Sequence, residues 1–263
     1  MTIDYRIVIP SYKRPQVLKD KSLALLKKHK IPIDKIDVLL GTPEEGKEYR
    51  SVLANTYAKN FLYHGQKGIG AVRNWIRWYY KHQTSLKYVV YMDDDIQDIL
   101  DWQTPIASLE DMIVDMFYET ETKKLNLWGI SPFHNPFFMK KTITTNLKYI
   151  CGAVCGELID RTKHDIYTEF DHYEDMAFSC EHFLRDGGVV RNNGICIITK
   201  YFGDGGINAS YNGLENRKKD MELASEHFKF RYGDMCRVIK KTYGYDIRLN
   251  GHFKNPENNV AKV

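Results

Sequence analysis

The stretch KYVVYMDDDI, residues 87–96, sets an apolar run directly against three consecutive aspartates. Tyr88–Met92 is rich in the β-branched and aromatic residues that favour a buried strand. The carboxylates of Asp93, Asp94 and Asp95 follow at once, and carboxylates so close together repel one another. We therefore expect a positive group among them, supplied by an arginine, a lysine or a divalent metal.

The residues before this stretch alternate between strand and helix patterns. Strands are predicted at Arg6–Pro10, Ile36–Leu40 and Asn60–Tyr63, and a helix at Gln16–Lys30. A second helix is predicted around Val72–Tyr80, where apolar residues recur at i, i+3, i+4, i+7 and i+8. The alternation predicts an α/β fold with a mostly parallel sheet and helices on both faces.

The second half of the chain is less regular. Its patterns predict helices at Asp111–Thr122, Tyr173–Arg185 and Leu214–Tyr243, strands at Leu125–Ile130, Tyr149–Val154 and Gly194–Thr199, and a polar tail at Asn250–Val263. The last of the three helices is long and highly charged.

Composition limits the class of protein. The net charge of +4, from 38 basic and 34 acidic residues, permits a nucleic-acid partner without requiring one. Five cysteines without a CxxC pair predict reduced thiols in a cytoplasmic protein. No apolar run approaches membrane-spanning length. The nine histidines show no HxH or HExxH spacing, which disfavours a zinc enzyme.

The aspartates are the first candidate site. Ligands of an open parallel sheet bind beyond the carboxyl ends of its strands. Asp93 and Asp95, two residues apart at such an end, offer the hard oxygen ligands that suit Mg²⁺ or Mn²⁺. The alternative interpretation is a solvated acidic turn or a helix cap.

A glycine-rich segment precedes the second predicted helix. Gly65, Gly68 and Gly70 would let backbone approach a ligand closely, and a helix N-terminus favours phosphate. Arg73 lies in the first turn, off the apolar face. The segment matches neither the P-loop nor the dinucleotide-binding glycine pattern. An ordinary glycine turn with a solvated arginine is the competing interpretation.

Two further segments carry candidate residues. PSYKR, residues 10–14, follows the first strand and either contacts a base and ribose or forms a polar connection. In FDHYEDM, residues 170–176, Asp171 and Glu174 have the spacing of a capping box. Asp175 is not needed for that cap, and a carboxylate at a helix start can serve as a general base.

These segments occur in an order that resembles a known family. IPSYKRP, GxGxxRN, YMDDD, GAV and YEDMAF, within residues 5–185, resemble the GT-A glycosyltransferases, especially the inverting, family-2-like enzymes. The chain resembles the TET-associated glycosyltransferases of phages in three respects: EGKEY at 45–49, GDGGI at 203–207, and the small size of a compact cytoplasmic protein. Those enzymes are thought to glycosylate hydroxymethylated pyrimidines, such as hydroxymethylcytosine, in DNA.

The resemblance implies roles for individual residues. The nucleotide sugar, expected to be a UDP-sugar, would contact Pro10, Ser11, Tyr12, Arg14, Gly70, Arg73, Asn74, Asp93 and Asp94. Asp93 and Asp95 would bind Mn²⁺ or Mg²⁺, with His252 or His227 as a late further ligand. Asp175 would be the catalytic base. Residues 1–210 would form the GT-A core, and residues 211–263 a helical extension packed on it.

The leading hypothesis is a cytoplasmic, metal-dependent, inverting hexosyltransferase that acts on hydroxymethylated pyrimidines in bacteriophage DNA. Basic residues of the predicted last helix could contact the DNA backbone: Arg217, Lys218, Lys219, Lys229, Arg231, Arg237, Lys240 and Lys241. The alternatives are a glycosyltransferase with a glycan or lipid-linked acceptor, a nucleotidyltransferase, and a nucleotide-binding module without activity.

Overall fold

A computed structural model describes residues 3–54, 57–199, 214–242 and 244–255. Its strands are β1 Tyr5–Pro10, β2 Ile36–Leu40, β3 Asn60–Tyr63, β4 Tyr88–Met92, β5 Asp98–Asp101, β6 Thr104–Pro105, β7 Leu127–Ser131, β8 Ile143–Thr144, β9 Val154–Leu158, β10 Val190–Ile198, β11 Cys236–Lys241 and β12 Gly244–Leu249. Its helices are α1 Pro15–Asp20, α2 Ser22–Lys28, α3 Pro43–Val52, α4 Ile69–His82, α5 Leu109–Thr122, α6 Glu174–Asp186 and α7 Leu214–Tyr232.

One large sheet organises the molecule, in the order β3-β2-β1-β4-β9-β7-β10-β5-β6, with β8 paired to β10. Strands β1 to β4 run parallel, and β9 runs antiparallel between β4 and β7. The chain leaves β1 towards β2 and returns as β4 on the other side of β1. The carboxyl ends of β1 and β4 therefore form a topological switch point, where ligands of such sheets bind.

Helices cover both faces of the sheet, which confirms the predicted class. Alternate residues of β1 point to opposite faces, as strand geometry requires. Tyr5, Ile7 and Ile9 pack with α1, α2 and α5, whereas Val8 packs with α4 and α6. The sheet is thus a mixed, mostly parallel layer between two helical layers.

A third apolar cluster joins the C-terminal elements to the outer side of α6. Phe228 and Tyr232 of α7 pack with Phe170, Phe183 and residues of the β11–β12 hairpin. The prediction of one helix from 214 to 243 was therefore wrong beyond Tyr232. Gly233 adopts a positive φ of +49°, a conformation that ends helices, and the chain continues as a hairpin.

Other elements differ from their predicted bounds. The helix predicted at Gln16–Lys30 is two helices that meet at Lys21. The strand predicted at Tyr149–Val154 begins only at Val154. Helix α3 was not predicted, although Thr42 caps it by accepting a hydrogen bond from the Glu45 amide at 3.3 Å.

Two findings concern the whole described chain. The five cysteines are buried free thiols. None of the described helices combines the length and the apolar character needed to cross a bilayer. The GDGGI segment, residues 203–207, lies outside the described residues.

Candidate active site

The three aspartates at the end of β4 have three different environments. Asp94 is buried and binds Arg14, whose Nε donates to Oδ2 at 3.2 Å and whose Nη2 binds Oδ1. The Ser11 hydroxyl also donates to Asp94, at 2.6 Å. Burial nevertheless raises the pKa of Asp94 to about 6, against the opposing effect of Arg14. An arginine thus supplies the expected positive group for this carboxylate.

Arg73 neutralises Asp93 and connects it to the opposite side of the site. Its Nη2 donates to Asp93 Oδ1 at 2.8 Å and to the Gly152 carbonyl at 2.9 Å. Arg73 is only 4% exposed, so the competing interpretation of a solvated arginine was wrong. Its Nε and Nη1 are buried and have no acceptor among the described residues, which leaves donors in excess at this site.

Asp93 and Asp95 are the candidate metal ligands, and their environments fit that role. The Asp93 side chain is 38% exposed, and only its Oδ1 is bound by Arg73. Asp95 accepts a hydrogen bond from Thr199 at 2.9 Å, while its Oδ2 lies 3.5 Å from Arg14 Nη1. Among the described residues, one oxygen of Asp93 has no hydrogen-bond partner and one of Asp95 only the 3.5 Å contact with Arg14, so both could bind Mg²⁺ or Mn²⁺.

The two histidines considered as late metal ligands lie elsewhere. His227 Nε2 is 3.3 Å from Glu169, and its ring packs on Phe170. His252 is exposed in the turn after β12. Within the described part of the chain, no three His, Cys, Asp or Glu side chains form a metal-binding group. Substrate phosphates could supply further ligands, as is usual for Mg²⁺.

Asp175 lies in the first turn of α6 and joins the same hydrogen-bond network through Gly152. Its Oδ2 accepts hydrogen bonds from the Tyr149 hydroxyl at 2.6 Å and the Gly152 amide at 3.2 Å, and its Oδ1 accepts from Met176 N at 2.9 Å. Burial raises the pKa of Asp175, while the Tyr149 hydrogen bond acts to lower it. Gly152 therefore links the predicted base to Arg73 and, through it, to Asp93.

Glu174 is a second carboxyl group in this site. The capping box expected between Asp171 and Glu174 is absent from the structure, because Tyr173, with φ of +65°, is the residue before the helix. Burial and the neighbouring Asp175 raise the pKa of Glu174, and Arg73 opposes that rise.

The glycine-rich segment approaches the protein's own backbone. The Gly70 amide donates to Asp171 Oδ1 at 2.9 Å, so a carboxylate of the chain occupies the anion position at the start of α4. A Cβ on Gly70 would lie 2.0 Å from the Phe170 carbonyl oxygen. Gly70 is thus required for close packing, which differs from the expected ligand contact.

Asn74 holds the same loop. Its Nδ2 donates to the Thr168 carbonyl at 2.6 Å, and its Oδ1 accepts from the Thr168 amide at 3.0 Å and from Arg77 at 2.9 Å. The structure therefore gives Asn74 a positioning role for residues 168–171, next to the start of α6.

The segment after β1 combines a fixed framework with an exposed ring. Tyr49, which the sequence did not single out, accepts a hydrogen bond from the Arg14 amide at 3.0 Å and bonds Ser11 Oγ at 2.8 Å. Ser11 and Arg14 are therefore engaged with Asp94 and Tyr49. Pro10 ends β1, and Tyr12, 47% exposed, offers a ring face to a ligand. The EGKEY segment at 45–49 was the one sequence signal that contained Tyr49.

Comparison with solved structures identifies the fold. A mannosyltransferase from Pyrobaculum calidifontis, PcManGT, solved with GDP-Man and Mn²⁺, has a TM-score of 0.56 at 12% identity over 88% of this chain and 64% of that chain. A glucosyl-3-phosphoglycerate synthase from Mycobacterium tuberculosis, solved with Mn²⁺ and UDP-glucose, has a TM-score of 0.51 at 10% identity over 98% of this chain and 91% of that chain. No protein-family model and no curated protein sequence matches the chain.

These likenesses, together with the sheet order, establish the GT-A fold that glycosyltransferases use. The chain spans less than two thirds of the mannosyltransferase's length. The class is therefore defined by its architecture: a GT-A protein with a carboxylate-rich cleft at the switch point of its sheet.

Proposed function

We propose that the chain is a metal-dependent, inverting glycosyltransferase that moves a sugar from a nucleotide sugar to a hydroxymethylated pyrimidine in DNA. The connection Asp93–Arg73–Gly152–Asp175 is the observation that carries the transferase assignment. It places a candidate diphosphate-binding carboxylate and a candidate base in one hydrogen-bonded unit on a GT-A fold. A module that only bound nucleotides would not need the second carboxylate.

The bond changes follow from these positions. Asp175 takes the proton of the acceptor hydroxyl, whose oxygen attacks the anomeric carbon of the donor sugar. The bond from that carbon to the diphosphate oxygen breaks, the diphosphate leaves with the electron pair, and the configuration inverts. A carboxylate has about four acceptor positions. Asp175 uses three within the protein, which leaves one for the acceptor hydroxyl.

Metal and nucleotide binding have support of their own. A Mn²⁺ or Mg²⁺ ion held by Asp93 and Asp95 would neutralise the leaving diphosphate as a Lewis acid. The two structures compared above were solved with Mn²⁺ and a nucleotide sugar, GDP-Man in one and UDP-glucose in the other. The exposed ring of Tyr12 is available to stack on the nucleobase. A UDP-sugar is the donor we propose to test first.

The DNA acceptor rests on the sequence resemblance, and a product analysis tests it. The protein is incubated with Mn²⁺ and either UDP-glucose or GDP-mannose, in the presence of hydroxymethylcytosine DNA, unmodified DNA or a free glycan. Mass spectrometry should find one added sugar on hydroxymethylated DNA only, and no product with Asp175→Asn. Labelling of the glycan, with neither DNA labelled, would replace the DNA acceptor by a glycan. Transfer of a nucleotide would overturn the glycosyltransferase proposal.

A further inference from the structure

An exposed aromatic loop lies at the same sheet edge as the candidate active site. Strands β4 and β7 both pair antiparallel with β9, so they point the same way and end at the same edge. β4 ends before Asp93, and β7 ends at Ser131. Residues 132–142, here called the phenylalanine loop, follow β7. The loop therefore emerges beside the cleft that holds the aspartates.

The phenylalanine loop displays three rings to solvent. Phe133, Phe137 and Phe138 are 56%, 84% and 62% exposed. Phe137 and Phe138 meet edge to face at 5.1 Å between centroids, which leaves ring faces open. Exposed apolar clusters of this kind are uncommon on soluble proteins and mark interaction sites.

The loop is fixed in place by its own contacts. Met139 is 3% exposed and anchors the loop in the interior. The Lys140 amide donates to the Asn193 carbonyl at 3.1 Å, and the Asn193 amide donates to the Thr142 carbonyl at 3.0 Å. The rings are thus presented by an ordered segment, which lowers the entropy that a partner must offset on binding.

A group of cations lies between the loop and the predicted base. Lys140, Lys148 and Arg191, here called the cation group, form no ion pair with a carboxylate among the described residues. Asn193 joins two of them, because its carbonyl accepts from the Lys140 amide at 3.1 Å and its Oδ1 accepts from Arg191 Nε at 2.8 Å. Burial lowers the pKa of Lys148, and repulsion from Arg191 and Lys140 lowers it further. Arg191 Nη1 donates to the carbonyl of Tyr149 at 3.3 Å, and the hydroxyl of Tyr149 binds Asp175. Tyr149 therefore connects Arg191 of the cation group directly to Asp175, the predicted base.

Two basic residues of α7, the helix on which the sequence placed the DNA contacts, are already bound to other groups of the protein. Lys229 donates to the Gly233 and Cys236 carbonyls at 2.7 and 2.9 Å. Arg231 binds Glu181 through two nitrogens, at 3.2 and 2.8 Å. Arg231 already has a carboxylate partner, whereas Arg191 of the cation group donates only to neutral oxygens, those of Asn193 and Tyr149, among the described residues.

We propose that the phenylalanine loop and the cation group form the acceptor-binding surface, and that it binds single-stranded or locally unpaired DNA. This inference rests on the proposed function and assigns the acceptor a place on the chain. Bases would stack on the exposed rings, and phosphates would bind the cations, the two contacts that single-strand binding uses. Lys148 and Arg191 are half-buried, and a flexible single strand can follow such a surface more closely than a flat membrane can.

Fluorescence anisotropy with a short labelled oligothymidine tests the surface separately from catalysis. Phe137→Ala should weaken binding by about 5- to 150-fold, the usual effect of one base–aromatic stack. Phe230→Ala, which removes an 89% exposed ring on α7, is the matched control and should change nothing. Lys148→Ala should reduce the log–log salt dependence by about 0.7. Lys219→Ala on α7 is its control.

The remaining outcomes separate this inference from the proposed function. The proposed surface would be overturned if Phe137→Ala and Lys148→Ala bound oligothymidine as tightly as the wild type does. A larger loss of affinity with Lys219→Ala than with Lys148→Ala would also overturn it. Binding to phosphatidylglycerol vesicles that Phe137→Ala abolishes, without oligothymidine binding, would assign the surface to membranes and also overturn it. If the wild type binds oligothymidine through the loop but glycosylates only a glycan, the surface stands and the proposed acceptor fails. The far-UV circular dichroism spectrum and the midpoint of thermal unfolding should match the wild type in both variants, which verifies folding.

Discussion

Replacing Tyr149 by phenylalanine removes one hydroxyl from the predicted base and leaves the rest of the ring. That hydroxyl donates to Asp175 Oδ2 at 2.6 Å, so it stabilises the ionised carboxylate. Asp175 already has a raised pKa because of burial, and the Tyr149 hydrogen bond is the largest effect that opposes the rise. Tyr149→Phe should therefore raise the pKa of Asp175 further.

The expected size follows from the strength of the bond. A hydrogen bond to a charged group contributes about 1.5–3 kcal/mol. One pKa unit corresponds to about 1.4 kcal/mol, so the pKa of Asp175 should rise by about one to two units. A general base acts only when ionised. The acid side of the profile of kcat/KM against pH should therefore move to higher pH by that amount. At a pH well above the shifted value, the two enzymes should have similar rates.

The assay follows nucleoside diphosphate release with Mn²⁺, donor and acceptor over a range of pH. Tyr80→Phe is the matched control, because the Tyr80 hydroxyl also binds a buried carboxylate, Asp37, at 2.5 Å but lies away from the site. Tyr80→Phe should lower the free energy of unfolding and leave the profile of kcat/KM against pH unchanged. An unmoved profile for Tyr149→Phe would refute Asp175 as the base. The same test on Glu174→Gln would then show whether Glu174 has that role.

Three further substitutions test the site. Asp95→Asn should abolish transfer and weaken the binding of the nucleotide sugar in Mn²⁺, as measured by calorimetry. The control Asp98→Asn loses a surface ion pair with a lysine and should keep both transfer and binding. Full activity of the wild type in the presence of a chelator would contradict the metal role. Arg73→Ala should lower the free energy of unfolding in urea by about 3 kcal/mol, because it leaves Asp93 without its buried partner. Unchanged stability would contradict the buried ion pair and favour a solvated arginine. Gly70→Ala should lower the free energy of unfolding by about 1–3 kcal/mol, the usual cost of overpacking, since its Cβ would meet a carbonyl oxygen, and unchanged thermal unfolding would contradict that packing.

Strand positions and the aspartate cluster could be predicted from sequence because both depend on local patterns. Five apolar residues before Asp93 predict a buried strand, and the switch-point rule then places the carboxylates at a ligand site. The position of Arg73 could not be predicted in this way. It lies off the apolar face of α4, yet it is buried because it pairs with Asp93, a contact that only the fold brings about.

The C-terminal hairpin shows the same limit. Charged residues at helical spacing continue past Tyr232, so the pattern predicts a longer helix than α7. Pairing of Cys236–Lys241 with Gly244–Leu249 decides the structure there, and packing against α6 stabilises it. Tertiary contacts override weak helix propensity, and basic residues assigned to one helical surface are divided between two elements.

The charge balance of the site connects its structure to its proposed chemistry. The site holds five carboxyl groups, those of Asp93, Asp94, Asp95, Glu174 and Asp175. In the part of the chain that the structure describes, two guanidinium groups pair with them, those of Arg14 and Arg73. Burial raises the pKa of Asp93, Asp94, Glu174 and Asp175, so the protein alone stabilises their ionised forms incompletely. A divalent cation at Asp93 and Asp95 would remove part of this repulsion, and a proton from the acceptor would remove part of it at Asp175. The excess of negative charge at the end of β4 and the start of α6 thus favours both the binding of a metal and the uptake of a proton.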